Sequence, residues 1–141
     1  MTSRLGILLF AHGARDPAWA QPFEAVAQRL AERHARHGGP PDTPGTLVTL
    51  AFLEFMSPDI GTAGDQLAAQ GCTEVAVVPL FLGAGGHVRK DLPRLIGELA
   101  VRHPGVRWRL SAAVGETDIL IQGMADAAWS LAQPAPDTPA P

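Results

Sequence analysis

The stretch RLGILLFAHGARDP, residues 4–17, contains the pattern that decides the fold of this chain. Residues 4–11 are almost continuously apolar, which is typical of a strand that is covered on both faces. Asp16 and Pro17 then form a helix-start signal, because aspartate favours the N-cap and proline favours the first helical position. The stretch therefore predicts a strand, a short polar loop that contains His12, and a helix.

The same order of apolar run, polar loop and helix recurs along the chain. Further strands are predicted over residues 47–53, 74–82 and 106–114. Further helix starts are predicted at Ser57 with Pro58, at Asp91 and at Thr117. Such βα units in series predict an α/β fold: a single-domain, doubly wound, four-stranded parallel sheet with the flavodoxin-like order 2-1-3-4. In the last helix, residues 117–131, the side chains expected to point inward are Leu120, Met124, Ala127, Ala128 and Leu131.

The length of 141 residues predicts one domain with a genuine core. That domain is assigned to residues 1–132. The tail QPAPDTPAP, residues 133–141, is rich in proline and is expected to be disordered. The segment HGGPPDTPG, residues 37–45, is a loop by composition.

Charge and composition exclude several classes of protein. The net charge of −3 and the lack of basic runs give no reason to expect nucleic acid as a partner. No apolar stretch reaches the ~20 residues that a membrane helix needs, and the N-terminus lacks a signal-peptide cleavage site. The single cysteine, Cys72, excludes an internal disulfide and a cysteine-based metal cluster within one chain. A cytoplasmic location and no membrane partner are therefore expected.

Two histidines and one glutamate follow three strands that the predicted order makes adjacent. His12 follows the first strand and Glu54 ends the second, while His87 follows the third in PLFLGAGGHVRKDLP, residues 79–93. Ligands of open α/β sheets bind outside the carboxyl ends of the strands, so these side chains are predicted to converge on one rim. Two imidazoles and one carboxylate suit a divalent first-row metal and leave coordination positions open.

Three phrases resemble a known family. LLFAHGARDP, AFLEFMSPDI and VVPLFLGAGGHVRKDLP are similar to the small sirohydrochlorin chelatases of the CbiX/SirB type, over about residues 5–124. The resemblance implies an ATP-independent enzyme without a prosthetic group, which inserts Co(II), or alternatively Fe(II) or Ni(II), into sirohydrochlorin for cobalamin or siroheme biosynthesis. It implies that His12, Glu54 and His87 are the metal-handling and catalytic residues. It also implies that a chain of this half-length form works as a homodimer.

The chemistry of metal insertion fits these residue types. A divalent ion displaces two N–H protons from the free-base ring, and a neutral histidine can bind a metal or accept a proton. Either His12 or His87 is the proton acceptor, and Glu54 supplies negative charge to the incoming ion. Sirohydrochlorin is rich in carboxylates, so Arg15, Arg89 and Lys90 are expected to contact the substrate. Gly85 and Gly86 allow the loop to approach a flat ligand.

Two other functions are compatible with the sequence. The first is a non-catalytic module that binds or delivers a divalent metal through the same three ligands. The second is a flavodoxin-like phosphate or nucleotide binder that uses the GAGG segment, residues 83–86. The spacing does not match a P-loop and no GxGxxG is present, which ranks this function last.

Overall fold

The computed structural model of the protein describes residues 3–36, 45–83 and 85–135. Most of the predicted loop over 37–45 and most of the predicted disordered tail over 133–141 therefore lie outside the described residues.

The strands form one parallel sheet. They are β1 (Leu5–Ala11), β2 (Leu47–Phe52), β3 (Glu74–Pro79) and β4 (Arg107–Leu110). The order is β2-β1-β3-β4, which confirms the predicted topology. β1 is central and pairs with β2 on one side and with β3 on the other, so that Phe10 lies between Ala51 and Pro79. The carboxyl ends of these three strands therefore share one edge of the sheet.

Helices cover both faces of the sheet. The α-helices are α1 (Gln21–Arg36), α2 (Ile60–Ala69), α3 (Gly86–Arg102) and α4 (Asp118–Ala132). Two 3-10 helices, Pro17–Ala20 and Val114–Glu116, precede α1 and α4.

Each covered face has its own core. The larger core joins one face of the sheet to α2 and α3, and its fully buried members include Leu8, Phe10, Leu67, Val77 and Leu99. The smaller core, on the α1 side, consists of Ala11, Ala20 and Phe52 with Trp19 and Phe23 packed against it. β1 contributes to both cores, which explains its continuous apolar run.

Two predicted helix starts are wrong. α2 begins at Ile60, and its N-cap is Asp59, whose Oδ1 accepts a 2.7 Å hydrogen bond from the Thr62 amide; Ser57 and Pro58 precede it. α3 begins at Gly86 with Gly85 as its N-cap, so Asp91 lies inside the helix and does not cap it. Pro93 also lies inside α3. For α3 the sequence signal was misleading because Pro93 lies inside the helix, where it removes one backbone hydrogen bond without ending the helix.

The last two strands are shorter than predicted. β3 ends at Pro79 rather than residue 82, although Leu80 still donates a 2.8 Å hydrogen bond to the Phe10 carbonyl. β4 covers only Arg107–Leu110 of the predicted 106–114. The residues after it turn into the 3-10 helix Val114–Glu116, so apolar sequence beyond the strand builds the rim of the sheet instead.

The predicted inward packing of α4 is wrong. The helix is capped as expected, since the Leu120 amide donates a 3.4 Å hydrogen bond to the Thr117 hydroxyl. No residue of α4 is buried, however, and Met124 and Leu131 are 48% and 85% exposed. Ala127 and Ala128 are also exposed, and only Leu120 is half-buried. Within the described residues α4 packs chiefly on the short helix Val114–Glu116.

A polar cluster fixes the end of α3 to α2. Asp65 Oδ1 lies 2.6 Å from His103 Nε2 and accepts a 3.0 Å hydrogen bond from Arg102 Nη2. These hydrogen bonds, that from His103 first, lower the pKa of the Asp65 carboxyl. The link holds α3 at its carboxyl end, while its first turn stands at the rim of the sheet.

Candidate active site

Backbone hydrogen bonds bring His12 and Glu54 together. The pairing of β1 with β2 continues past both strands, because Leu53 donates to the Ala11 carbonyl at 2.9 Å and Glu54 donates to the His12 carbonyl at 3.0 Å. Both His12 and Glu54 are exposed at the carboxyl edge of the sheet. The backbone therefore places these two residues next to each other, as predicted.

Gly13 makes this close approach possible. Its φ is +91°, in the left-handed region that favours glycine. A Cβ at this position would overlap the backbone carbonyl oxygen of Glu54. Sequence reasoning did not single out Gly13, although a glycine directly after a strand and a histidine is the signal that points to such a turn.

Phe81 supports the imidazole of His12. The two rings are stacked, with centroids 4.2 Å apart and planes inclined by 30°. Phe81 is 2% exposed and also contacts Phe10, at a centroid distance of 5.8 Å. His12 therefore lies between solvent and the hydrophobic core, which restricts the orientation of its ring. Phe81 was read from the sequence as an ordinary strand residue.

His87 lies in the first turn of α3, so its predicted position on a glycine-rich loop is wrong. The backbone turns into the helix at Gly85 and Gly86, both exposed, before it reaches this residue. The side chain of His87 lies outside the described part of the structure. Its convergence with His12 and Glu54 stays a prediction. Among the side chains that are described, no group of three or more His, Cys, Asp or Glu residues is arranged to hold a metal.

The three candidate cations are exposed, and two of them have clear contacts. The guanidinium of Arg15 lies 5.1 Å from the ring centroid of Phe55. Arg89 Nη2 lies 3.3 Å from Glu116 Oε1. Arg89 and Lys90 belong to the first turns of α3, not to a loop as predicted. The carboxyl ends of β1 and β3 thus both carry positive charge.

A cavity of about 260 Å³ adjoins this rim on the β4 side. Its walls include the ring of Phe81 and the ion pair of Arg89 with Glu116, together with Leu110 and Ala113. Glu116 also accepts a 3.3 Å hydrogen bond from the Ala113 amide, which ties the fourth strand end into the rim.

These features define the class of protein: a doubly wound α/β domain with exposed histidine and carboxylate groups at its strand ends. The CbiX family model matches residues 6–128 of the chain. The chain belongs to the CbiX family.

Individual relatives agree with this membership. The sirohydrochlorin cobaltochelatase of Saccharolobus solfataricus is 34% identical over 113 residues, which cover 77% of this chain and 80% of that protein. The structure of a putative cobalamin biosynthesis CbiX protein from Marinobacter aquaeolei is 31% identical, with a TM-score of 0.73 over 90% of this chain and 96% of that one.

Longer proteins share the same fold. The sirohydrochlorin chelatase SirB of Bacillus subtilis subspecies spizizenii, in complex with cobalt, is 28% identical, with a TM-score of 0.68. The match covers 92% of this chain and 51% of that one. SirB from Bacillus subtilis with Fe3+ gives 27% identity and a TM-score of 0.70, over 93% of this chain and 48% of that one. This chain therefore spans about half the length of SirB.

Proposed function

We propose that this protein is a sirohydrochlorin chelatase, which inserts a divalent metal, with cobalt as the first choice, into the tetrapyrrole. The observation that carries the proposal is the joining of His12 and Glu54 at adjacent strand ends in a CbiX-family fold. The metal ion is a substrate, and an exposed rim gives it and the macrocycle access to the same side chains.

His12, Glu54 and His87 act together on the metal. The ion arrives with bound water and has to exchange those ligands for the ring nitrogens, so weak and open coordination by the protein serves transfer better than a closed site. Glu54 contributes the negative charge that attracts the dication. One histidine binds the ion while the other accepts a ring proton, since a given imidazole lone pair cannot do both at once.

Arg15, Arg89 and Lys90 bind the carboxylates of the substrate. Arginine matches carboxylate geometry with two parallel hydrogen bonds. The existing pair of Arg89 with Glu116 is exposed, and pairs of this kind contribute about 0–1 kcal/mol, so exchange for a substrate carboxylate costs little. Gly85 and Gly86 present no side chain at the start of α3, which leaves room for a flat ligand beside it.

The proposal includes four finer points. The reaction needs neither ATP nor a prosthetic group, because desolvation, positioning and proton acceptance are all supplied by side chains. Fe(II) and Ni(II) are alternative metals, since nitrogen and oxygen ligands accept them as well. The product serves cobalamin or siroheme biosynthesis. The site of action is the cytoplasm; among the described helices none is long and apolar enough to cross a membrane.

We also propose that the protein works as a homodimer. Within the described part of the chain, α4 packs chiefly on the short helix Val114–Glu116 and leaves apolar side chains exposed along its whole length. These side chains are Ile119, Ile121, Met124, Trp129 and Leu131. Exposed apolar patches of this kind are typical of protein interfaces. The half-length match to SirB gives a second copy of this chain as the natural occupant.

A chelation assay tests the enzymatic proposal. Purified protein is mixed with sirohydrochlorin and Co(II), Fe(II) or Ni(II), and the absorbance change of the macrocycle is compared with the uncatalysed rate. Acceleration with at least one metal is expected. Metal binding without acceleration would favour the delivery module, and neither binding nor acceleration would refute both functions.

A further inference from the structure

Phe55 occupies an unusual position directly after Glu54. Its φ is +65°, and the Met56 amide donates a 2.8 Å hydrogen bond to the Glu54 carbonyl across it. This is a three-residue turn with a positive φ at its centre, the type that is rare and strained. Bulky residues seldom adopt such a φ, whereas glycine does so without cost.

Packing does not compensate for this strain. The Phe55 side chain is 58% exposed, while the next residue, Met56, packs against the smaller core. The turn therefore directs a large apolar ring away from the protein. Strained residues that make no contribution to the core are commonly found at binding sites, where the strain presets a side chain for its ligand.

Phe55 belongs to the loop that carries Glu54, and its ring contacts the loop that carries His12. Arg15 follows His12 by three positions, and its guanidinium lies 5.1 Å from the centre of the Phe55 ring. This cation–π contact links the β1 loop to the β2 loop at the rim. It also fixes the planar cation next to an exposed apolar surface, which is a combination that fits a flat aromatic body with anionic substituents.

We propose that Phe55 is the platform on which the conjugated face of the tetrapyrrole rests, and that it positions Arg15 for a carboxylate at the ring periphery. The inference rests on the proposed function, because it takes the macrocycle as the substrate. Phe55 contacts the ring system and not the metal. It contributes to binding and orientation, so its loss affects Kd and KM more than kcat.

The test measures the Kd of metal-free sirohydrochlorin by absorbance titration, and KM and kcat for metal insertion, in wild type, Phe55→Ala, Phe55→Leu and Phe55→Tyr. Stacking of aromatic systems predicts a rise of about tenfold in Kd and KM for Phe55→Ala, with kcat changed less than about twofold. Phe55→Tyr keeps the wild-type values, and Phe55→Leu, which keeps apolar volume without a π face, is intermediate.

Two controls accompany these variants. Val101→Ala removes an apolar side chain that is even more exposed than Phe55 and that lies at the carboxyl end of α3, away from the rim, and it leaves Kd and KM unchanged. Phe55→Gly relieves the positive φ and raises the midpoint of thermal unfolding while it weakens ligand binding. A gain in thermal stability together with a loss of affinity is the signature of a residue strained for binding.

The outcomes separate the two proposals. If wild type binds and metallates sirohydrochlorin and Phe55→Ala does so with unchanged Kd and KM, the platform is refuted and the chelatase function stands. If wild type neither binds nor metallates sirohydrochlorin, the function and the platform are both refuted.

Discussion

At the scale of single residues, His12 is the best-supported member of the site. Its ring is stacked on the buried Phe81, and its carbonyl accepts the hydrogen bond that holds Glu54 beside it. The strand-end rule predicted both His12 and Glu54, because the carboxyl ends of neighbouring parallel strands meet. Gly13, Phe55 and Phe81 escaped prediction, since a turn conformation and a ring contact depend on neighbours that are distant in sequence.

Removal of either candidate ligand is predicted to stop metal insertion without unfolding the protein. His12→Ala and Glu54→Gln each lower kcat/KM by about 100-fold or more, because acid–base and charge contributions of this size are typical of catalytic groups. The chelation assay and a thermal unfolding curve measure the two effects. His34→Ala, which alters an exposed histidine on α1, is the matched control and keeps wild-type turnover. Near-normal rates in His12→Ala would place the chemistry elsewhere.

Gly13→Ala is predicted to destabilise the fold by about 1–3 kcal/mol, since it combines a positive φ with an overlap on the Glu54 backbone. Denaturant unfolding measures this change in the free energy of unfolding. Gly97→Ala on α3 is the control, because a Cβ there meets open space and alanine favours a helix. Equal stability of the two variants would contradict the tight turn.

At the scale of elements, the strands were easier to predict than the helix starts. Uninterrupted apolar runs identify buried parallel strands because both faces need apolar cover. Helix starts are more ambiguous, since several neighbouring residues can serve as the N-cap. The N-cap of α2 is Asp59 and not Ser57, and that of α3 is Gly85 and not Asp91. The start of α3 matters most, because it moves His87, Arg89 and Lys90 from a loop onto a helix.

The Asp59 cap predicts how stability changes with pH. Hydrogen bonds from Thr62 lower the pKa of Asp59 below its usual value of 3.8. Because the folded pKa is the lower one, the cap stabilises the protein above the unfolded pKa, and this contribution is lost as the pH falls through the folded pKa. Thermal unfolding from about pH 7 to about pH 3 follows this loss.

Two variants isolate that contribution. Asp59→Ala lowers the free energy of unfolding by about 1 kcal/mol at neutral pH. Asp59→Asn retains a good N-cap without a titrating group, so its stability falls less steeply at acid pH than that of wild type. The same acid slope in Asp59→Asn and wild type would assign the effect to other carboxyls, such as Asp65.

At the scale of the whole molecule, the topology followed from sequence but the packing of α4 did not. An apolar face repeats at helical spacing whether its partner is the same chain or another copy, so the pattern cannot identify the partner. The right-handed connection rules, by contrast, depend only on the order of strands and helices.

The homodimer is predicted to depend on α4. The molar mass of wild type in solution, measured by light scattering, is expected to be twice that of one chain. The double variant Met124→Asp with Leu131→Asp, whose positions lie two turns apart on the same exposed apolar face of α4, places charge on that face and reduces the mass to that of one chain. Val101→Asp, at an exposed position on α3, is the control and stays dimeric. A single-chain mass for wild type would refute the homodimer.

The hydrogen bond from Glu54 to the His12 carbonyl has a consequence for metal preference. Paired strands keep a separation of about 4.7–4.9 Å, so the anchoring points of these two residues cannot move apart unless the ladder breaks. Differences in ionic radius between cobalt, iron and nickel then have to be absorbed by side-chain rotation or by the first turn of α3, which no strand ladder constrains. Discrimination among metals is therefore expected to respond to substitutions near Gly85 and Gly86 sooner than to changes in the sheet.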